Sequence, residues 1–137
     1  MEEAPTSSSA TLSLGIDVGK SALELALSNG DGPIAKTSVS NDSEGHDRLL
    51  SWLEDHEAGP ANTFACMEAS GGFEEAIASF LYEKGYGVSV VNPRRIKGYA
   101  DSQLQRSKTD SADAALIARF GDREEPSPWE PPEAAQS

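Results

Sequence analysis

Four carboxylates sit at positions from which they could do chemistry. Asp17 interrupts the apolar run Leu12 to Val18, and Glu68 ends the run Phe64-Ala65-Cys66-Met67. Farther on, Asp110 and Asp113 stand three residues apart in Lys108-Thr109-Asp110-Ser111-Ala112-Asp113. The two apolar runs read as strands, so Asp17 and Glu68 fall near strand C-terminal ends, where α/β sheets tend to place their sites. An i, i+3 pair projects from one face of a helix, and the first helical turn favours negative charge. Brought together, four such groups repel unless cations lie between them. Hard divalent ions such as Mg²⁺ or Mn²⁺ take oxygen ligands. Two of them roughly 4 Å apart can activate a water or a 3′-hydroxyl and steady the leaving oxygen in phosphodiester chemistry.

The first of these stretches, Leu12 to Ser21 (LSLGIDVGKS), also ends in Gly-Lys-Ser, as a phosphate-binding P-loop does. A P-loop needs a glycine, four residues, then Gly-Lys-Ser/Thr, followed by a helix. The position for the first glycine holds Leu14, and the residues after Ser21 alternate as a strand. The carboxylate reading of Asp17 is therefore preferred.

Charge marks a second candidate region. The chain carries a net charge of −12, which by itself argues against a nucleic-acid binder. Yet Arg94 to Lys108 holds Arg94, Arg95, Lys97, Arg106 and Lys108 against a single acid, Asp101. This basic segment directly precedes the Asp110/Asp113 pair, where it could hold a phosphate backbone beside bound cations. The acids elsewhere read as a solvated surface. Lys20 and Ser70 read as turn residues, and His46 and His56 as structural.

The elements that must position these groups follow from periodicity and punctuation. Thr11 to Val18 alternates, Leu23, Leu25 and Leu27 alternate again, and Asn29-Gly30-Asp31-Gly32 closes a hairpin into a third strand, Ile34 to Ser40. Asn41-Asp42-Ser43 offers N-caps for a helix reaching about His56. A short strand, Thr63 to Met67, leads through Ser70-Gly71-Gly72 into a helix expected over Phe73 to Lys84. Val88 to Val91 reads as a buried parallel strand, and Asn92-Pro93 starts another helix. A last helix is expected from about Thr109 to Phe120. The order βββαβαβαα makes an α/β fold: a mixed sheet of three antiparallel strands, then two parallel strands, flanked by helices.

The 137 residues suit one domain, expected over 11–120. Residues 1–10 are acidic and Ser-rich. Residues 121–137 hold four of the eight prolines and read as a disordered Pro/Glu-rich tail. No run approaches the ~18 apolar residues of a membrane span, and Met1-Glu2-Glu3 does not open a secretory signal. The single cysteine, Cys66, reads as a small buried residue, and a cytoplasmic location is expected.

Three blocks carry a family likeness: GIDVGKSALELAL, MEASGGFEEAIASFLYEKGYGVSVVNPRRIKGYA and RSKTDSADAALIARF. Together they resemble the N-terminal DEDD domain of bacterial and archaeal insertion-sequence transposases of the IS-one-ten class. That domain is itself similar to the Holliday-junction resolvase RuvC. The likeness covers about residues 12 to 120, and VVNPRRIKGYA…KTDSADA is its most specific part. It implies a ribonuclease H-like fold, with the family's four acids on Asp17, Glu68, Asp110 and Asp113. It also implies Mg²⁺-dependent DNA strand cleavage and exchange in transposition, a structured guide RNA and an oligomeric assembly. Such transposases continue into a second catalytic domain that supplies a serine nucleophile. No counterpart of that serine is present, so the expectation is a truncated product. Two other readings stay open. One is an inert nucleic-acid-binding module or relic, which could pair with full-length relatives. The other is a sugar-kinase or actin-like ATPase, which also opens on Ile-Asp-x-Gly but needs two such domains.

Overall fold

The computed structural model describes residues 11–102 and 113–131. The elements follow the expected order: β1 (Leu12–Val18), β2 (Ala22–Asn29), β3 (Gly32–Ser40), α1 (Ser43–Asp55), β4 (Thr63–Glu68), α2 (Glu75–Glu83), β5 (Gly87–Val91), α3 (Pro93–Ser102) and α4 (Ala114–Glu124). The five strands form one sheet in the order β3-β2-β1-β4-β5. β1 pairs antiparallel with β2, and β2 with β3. β1 pairs parallel with β4, and β4 with β5. The residues after Ser21 are strand β2, so no helix follows Gly19-Lys20-Ser21 as a P-loop requires.

Alternation gives each face of the sheet its own partner. Leu14 lies opposite Leu27, Ile16 opposite Leu25 and Val18 opposite Leu23. This face, with Ala65, Met67 and Val88, is covered by Leu49 and Leu53 of α1 and Ile77, Ala78 and Leu81 of α2. Each fully buried leucine or isoleucine here contributes on the order of 2 kcal/mol. The opposite face of β1 and β2 is made of small residues: Ser13, Gly15, Ala26 and Ser28, all buried. That flat strip seats α4. Ser13 Oγ donates to the Ala118 carbonyl at 2.6 Å. A Cβ at Gly15 would lie 2.1 Å from the Ala114 carbonyl oxygen, so only glycine lets the helix approach this closely. Beside it, Cys66, Val91, Ile96, Tyr99, Ile117 and Phe120 form a second cluster joining α3 and α4 to the sheet.

Three expectations change. α2 begins at Glu75, and Phe73, expected on its apolar face, lies in the preceding turn and is 46% exposed. The cause is local. Gly71 and Gly72 take positive φ (72° and 107°), and Glu74 Oε1 accepts from the amides of Ser70 and Gly72 at 2.9 and 3.0 Å. That turn occupies the residues a longer helix would need.

α4 begins at Ala114 and extends to Glu124, rather than running from Thr109 to Phe120. The expected tail from Gly121 therefore starts inside a helix. Past it, Glu125 turns left-handed (φ 46°), and the chain runs along β5. The Trp129 amide donates to the Val88 carbonyl at 2.6 Å, and Ser89 Oγ donates to the Ser127 carbonyl at 2.7 Å. Proline-rich composition suggests disorder, but prolines also preset the extended backbone that an edge strand's free groups can pair with.

Candidate functional site

The strip under α4 ends in acids. Beyond Gly15, the next residue of β1 on that face is Asp17, and Glu24 of β2 lies directly opposite it. Cys66 of β4 pairs with Gly15, so Glu68, two residues on, continues the same face beside Asp17. α4 runs antiparallel to β1: Ala114 lies over Gly15, and Ala118 reaches back to Ser13. The helix thus opens over the C-terminal end of β1 with Asp113 as its N-cap. Asp113 is extended (φ −93°, ψ 174°), and its Oδ1 accepts from the Leu116 amide at 2.9 Å. This bond satisfies one of the helix's free amides and fixes the carboxylate at the helix's positive end.

The electrostatics match this geometry. Burial raises the Asp17 carboxyl above its ordinary value, and the charges of Glu24 and Asp113 raise it further. Burial also raises Glu68, with Asp17 adding to the effect. Carboxylates on three strands and a helix cap therefore share one field, and it is Asp17 and Glu68 whose ionisation is held back.

Of the four acids expected, Asp17, Glu68 and Asp113 come to one edge of the sheet, and Asp110 lies outside the described residues. Asp113 is a cap, not a member of a first helical turn, so the expected i, i+3 face is not part of α4. Among the described residues, no three His, Cys, Asp or Glu side chains gather closely enough to hold a metal ion. The donor set still suits a hard divalent cation. It is all carboxylate oxygen, and its mutual repulsion is what such an ion relieves.

Glu24 was not singled out from the sequence. Its signal was available in the pattern Leu23-Glu24-Leu25: an outward charge on a strand whose hairpin register places it opposite Asp17. Ser38 Oγ of β3 donates to Glu24 Oε2 at 3.2 Å.

The basic segment divides. Arg94, Arg95 and Lys97 are exposed on α3, whereas Arg106 and Lys108 lie outside the described residues. Arg95 also has a packing role, its guanidinium standing 5.2 Å from the centre of the Phe120 ring. Cys66 is buried as expected, and burial pushes its thiol up to about 12. His46 is buried against Phe80, and His56 Nδ1 lies 2.9 Å from the Trp52 carbonyl oxygen.

A family described as "Transposase", the DEDD transposases of the IS-one-ten class, matches residues 14–137. The chain belongs to this family. Two relatives, the pilin gene-inverting proteins of Moraxella lacunata and Moraxella bovis, are 31% and 32% identical over 118 residues. The match covers 86% of this chain and 36% of each relative, so the chain spans about a third of their length. Among solved structures, Thermus thermophilus RuvC is similar in fold, with a TM-score of 0.59 at 16% identity. The likeness covers 87% of this chain and all of RuvC. RuvC in complex with a Holliday junction substrate gives a TM-score of 0.58. The DEDD transposase domain thus has the ribonuclease H-like mixed sheet expected of it. Among the described residues, no helix is long and apolar enough to cross a membrane.

Proposed function

We propose that this DEDD transposase domain carries a metal-dependent site for DNA strand cleavage and exchange, with Asp17, Glu68, Asp110 and Asp113 as its ligands. One observation carries the reading. In a member of this family, the C-terminal ends of β1 and β4 and the N-cap of α4 bring three of these acids to one sheet edge. Mg²⁺ or Mn²⁺, as two ions, would supply a nucleophile at neutral pH and stabilise the leaving oxygen. The chain's own residues set the stage. Asp17 and Glu68 stand on adjacent strands held by the ladder, so their spacing is fixed by the sheet. Asp113 is pinned by its cap bond, which leaves Oδ2 as the oxygen not committed to the helix. The buried strip beneath α4 excludes water from one side of the site. The exposed cations Arg94 and Lys97, with Arg95, Arg106 and Lys108, would hold the DNA phosphates. A structured RNA and a second copy or a full-length relative are further partners within this reading. The names of the relatives and the junction-bound RuvC support a recombination substrate.

The exposed cations of α3 also favour a second reading, nucleic-acid binding without turnover. Calorimetric titration of Mn²⁺ into the protein and into an Asp17→Ala/Asp113→Ala variant tests the first. Binding that is lost in the variant is expected; equal binding in both proteins would show that the acids are not the site. DNA binding that persists in the variant and weakens steeply between about 50 and 200 mM salt, with no cleavage by either protein, would favour the second.

A further inference from the structure

Asn41 was read from the sequence as one of three candidate caps for α1, but the cap is Asp42, whose carboxylate accepts from the Gly45 amide. This leaves the Asn41 side chain free, and it is almost fully engaged elsewhere. Its Nδ2 donates to the Gly19 carbonyl at 2.9 Å and to the Phe73 carbonyl at 3.1 Å. Its Oδ1 lies 3.0 Å from His46 Nε2. Because the amide nitrogen serves two carbonyls, Oδ1 is the acceptor and His46 Nε2 carries the hydrogen. The Asn41 backbone amide donates to Ser21 at 2.9 Å, closing the same turn from the other side.

These bonds join three separate connections. Gly19 lies in the β1–β2 turn, two residues past Asp17. Phe73 ends the Ser70-Gly71-Gly72 turn that leaves β4 after Glu68. His46 belongs to the first turns of α1, where its ring is buried against Phe80 of α2 at 5.5 Å between centroids. Glu74 tightens the second turn from within through the Ser70 and Gly72 amides. The strand ladder fixes β1 against β4 up to the acids. Beyond them, Asn41 ties the two exits together.

We infer that Asn41, held in one orientation by His46, is a positioning residue that locks the turns following Asp17 and Glu68 to each other and so sets the shape of the carboxylate edge. This rests on the proposed metal site only for its consequence in binding; the clamp itself is a statement about two turns. Burial lowers the His46 imidazole below its ordinary value, the charges of Asp42 and Asp47 oppose that, and either protonation state can donate from Nε2 to Asn41.

The test compares wild-type protein with Asn41→Asp, which keeps the acceptor for His46 and loses both donations. His46→Phe keeps an aromatic ring against Phe80 and removes the donor, and His46→Gln restores a donor. Amide hydrogen exchange should speed up together at residues 18–22 and 70–73 in Asn41→Asp and His46→Phe, with Leu14 and Leu25 still protected. It should return toward wild type in His46→Gln. Mn²⁺ affinity should fall about tenfold in the first two variants, as for partners that orient metal ligands. Faster exchange confined to residues 40–46, or unchanged affinity in a protein that does bind Mn²⁺, would overturn the inference. If the wild type binds no Mn²⁺, the metal reading fails and the exchange pattern alone decides the clamp.

Discussion

Replacing Gly15 with alanine adds one methyl group where the backbone of α4 comes closest to β1. The new Cβ would stand 2.1 Å from the Ala114 carbonyl oxygen, 2.3 Å from the Ala118 nitrogen and 2.8 Å from the Ala118 Cα. All three are backbone atoms, so no side chain can swing aside. Ordinary non-bonded contact is about 3.5 Å, so α4 must retreat by roughly 1 Å. The Ser13 to Ala118 bond of 2.6 Å would then pass out of hydrogen-bond range, losing about 1 kcal/mol. Overpacking adds about 1–3 kcal/mol, and the stiffer unfolded chain returns about 0.4–1 kcal/mol. The expected net loss is about 2–3 kcal/mol, a fall in Tm of roughly 10 °C for a domain of this size. Asp113 rides on the displaced helix, so Mn²⁺ affinity should fall by about tenfold or more even where the protein stays folded. Gly30→Ala is the control, since its Cβ meets nothing within 4 Å. Thermal unfolding and calorimetry read both effects. A Gly15→Ala protein with a Tm within about 2 °C of wild type would refute the argument that glycine is required for the seating of α4.

Other outcomes follow from the same geometry. Asp17→Asn should stabilise the metal-free protein at neutral pH. The raised carboxyl means the folded state holds its proton to higher pH than the unfolded state, so wild-type stability rises as pH falls through that interval and the variant's advantage closes below it. Chemical denaturation at several pH values checks this, and a variant less stable at pH 7 without metal would contradict the shared field at this edge. Cys66, buried and with its thiol pushed up to about 12, should react with an aromatic disulfide reagent only as fast as the protein opens, and rapid labelling without denaturant would count against its burial. Arg95→Ala should lower Tm by removing the contact with Phe120, worth about 0.5–1 kcal/mol. Arg94→Glu/Lys97→Glu should leave Tm within a degree or two while weakening DNA binding and flattening its salt dependence; equal effects on Tm from both changes would erase that division of roles.

The sequence by itself determined the element order, the hairpin at Asn29 to Gly32 and the mixed character of the sheet. Period-two alternation and glycine punctuation are local, and each strand carries its own record of them. It also marked Asp17 and Glu68, because a charge within or at the end of an apolar run stands out without any knowledge of its neighbours. The local signals misled where a turn or a distant partner competed. Phe73 has helical spacing to Ile77, yet Glu74 holds the preceding turn open to water. Pro126 to Trp129 looks like a tail, yet β5 offers it the Val88 carbonyl as acceptor and the Ser89 hydroxyl as donor. Tertiary structure alone decided that α4 opens over the end of β1, which brings Asp113 to the edge that holds Asp17 and Glu68. It alone also carried Asn41 from a candidate cap to a tie between two turns. These depend on pairing register and on helix docking over Gly15, which are fixed by contacts between residues tens of positions apart.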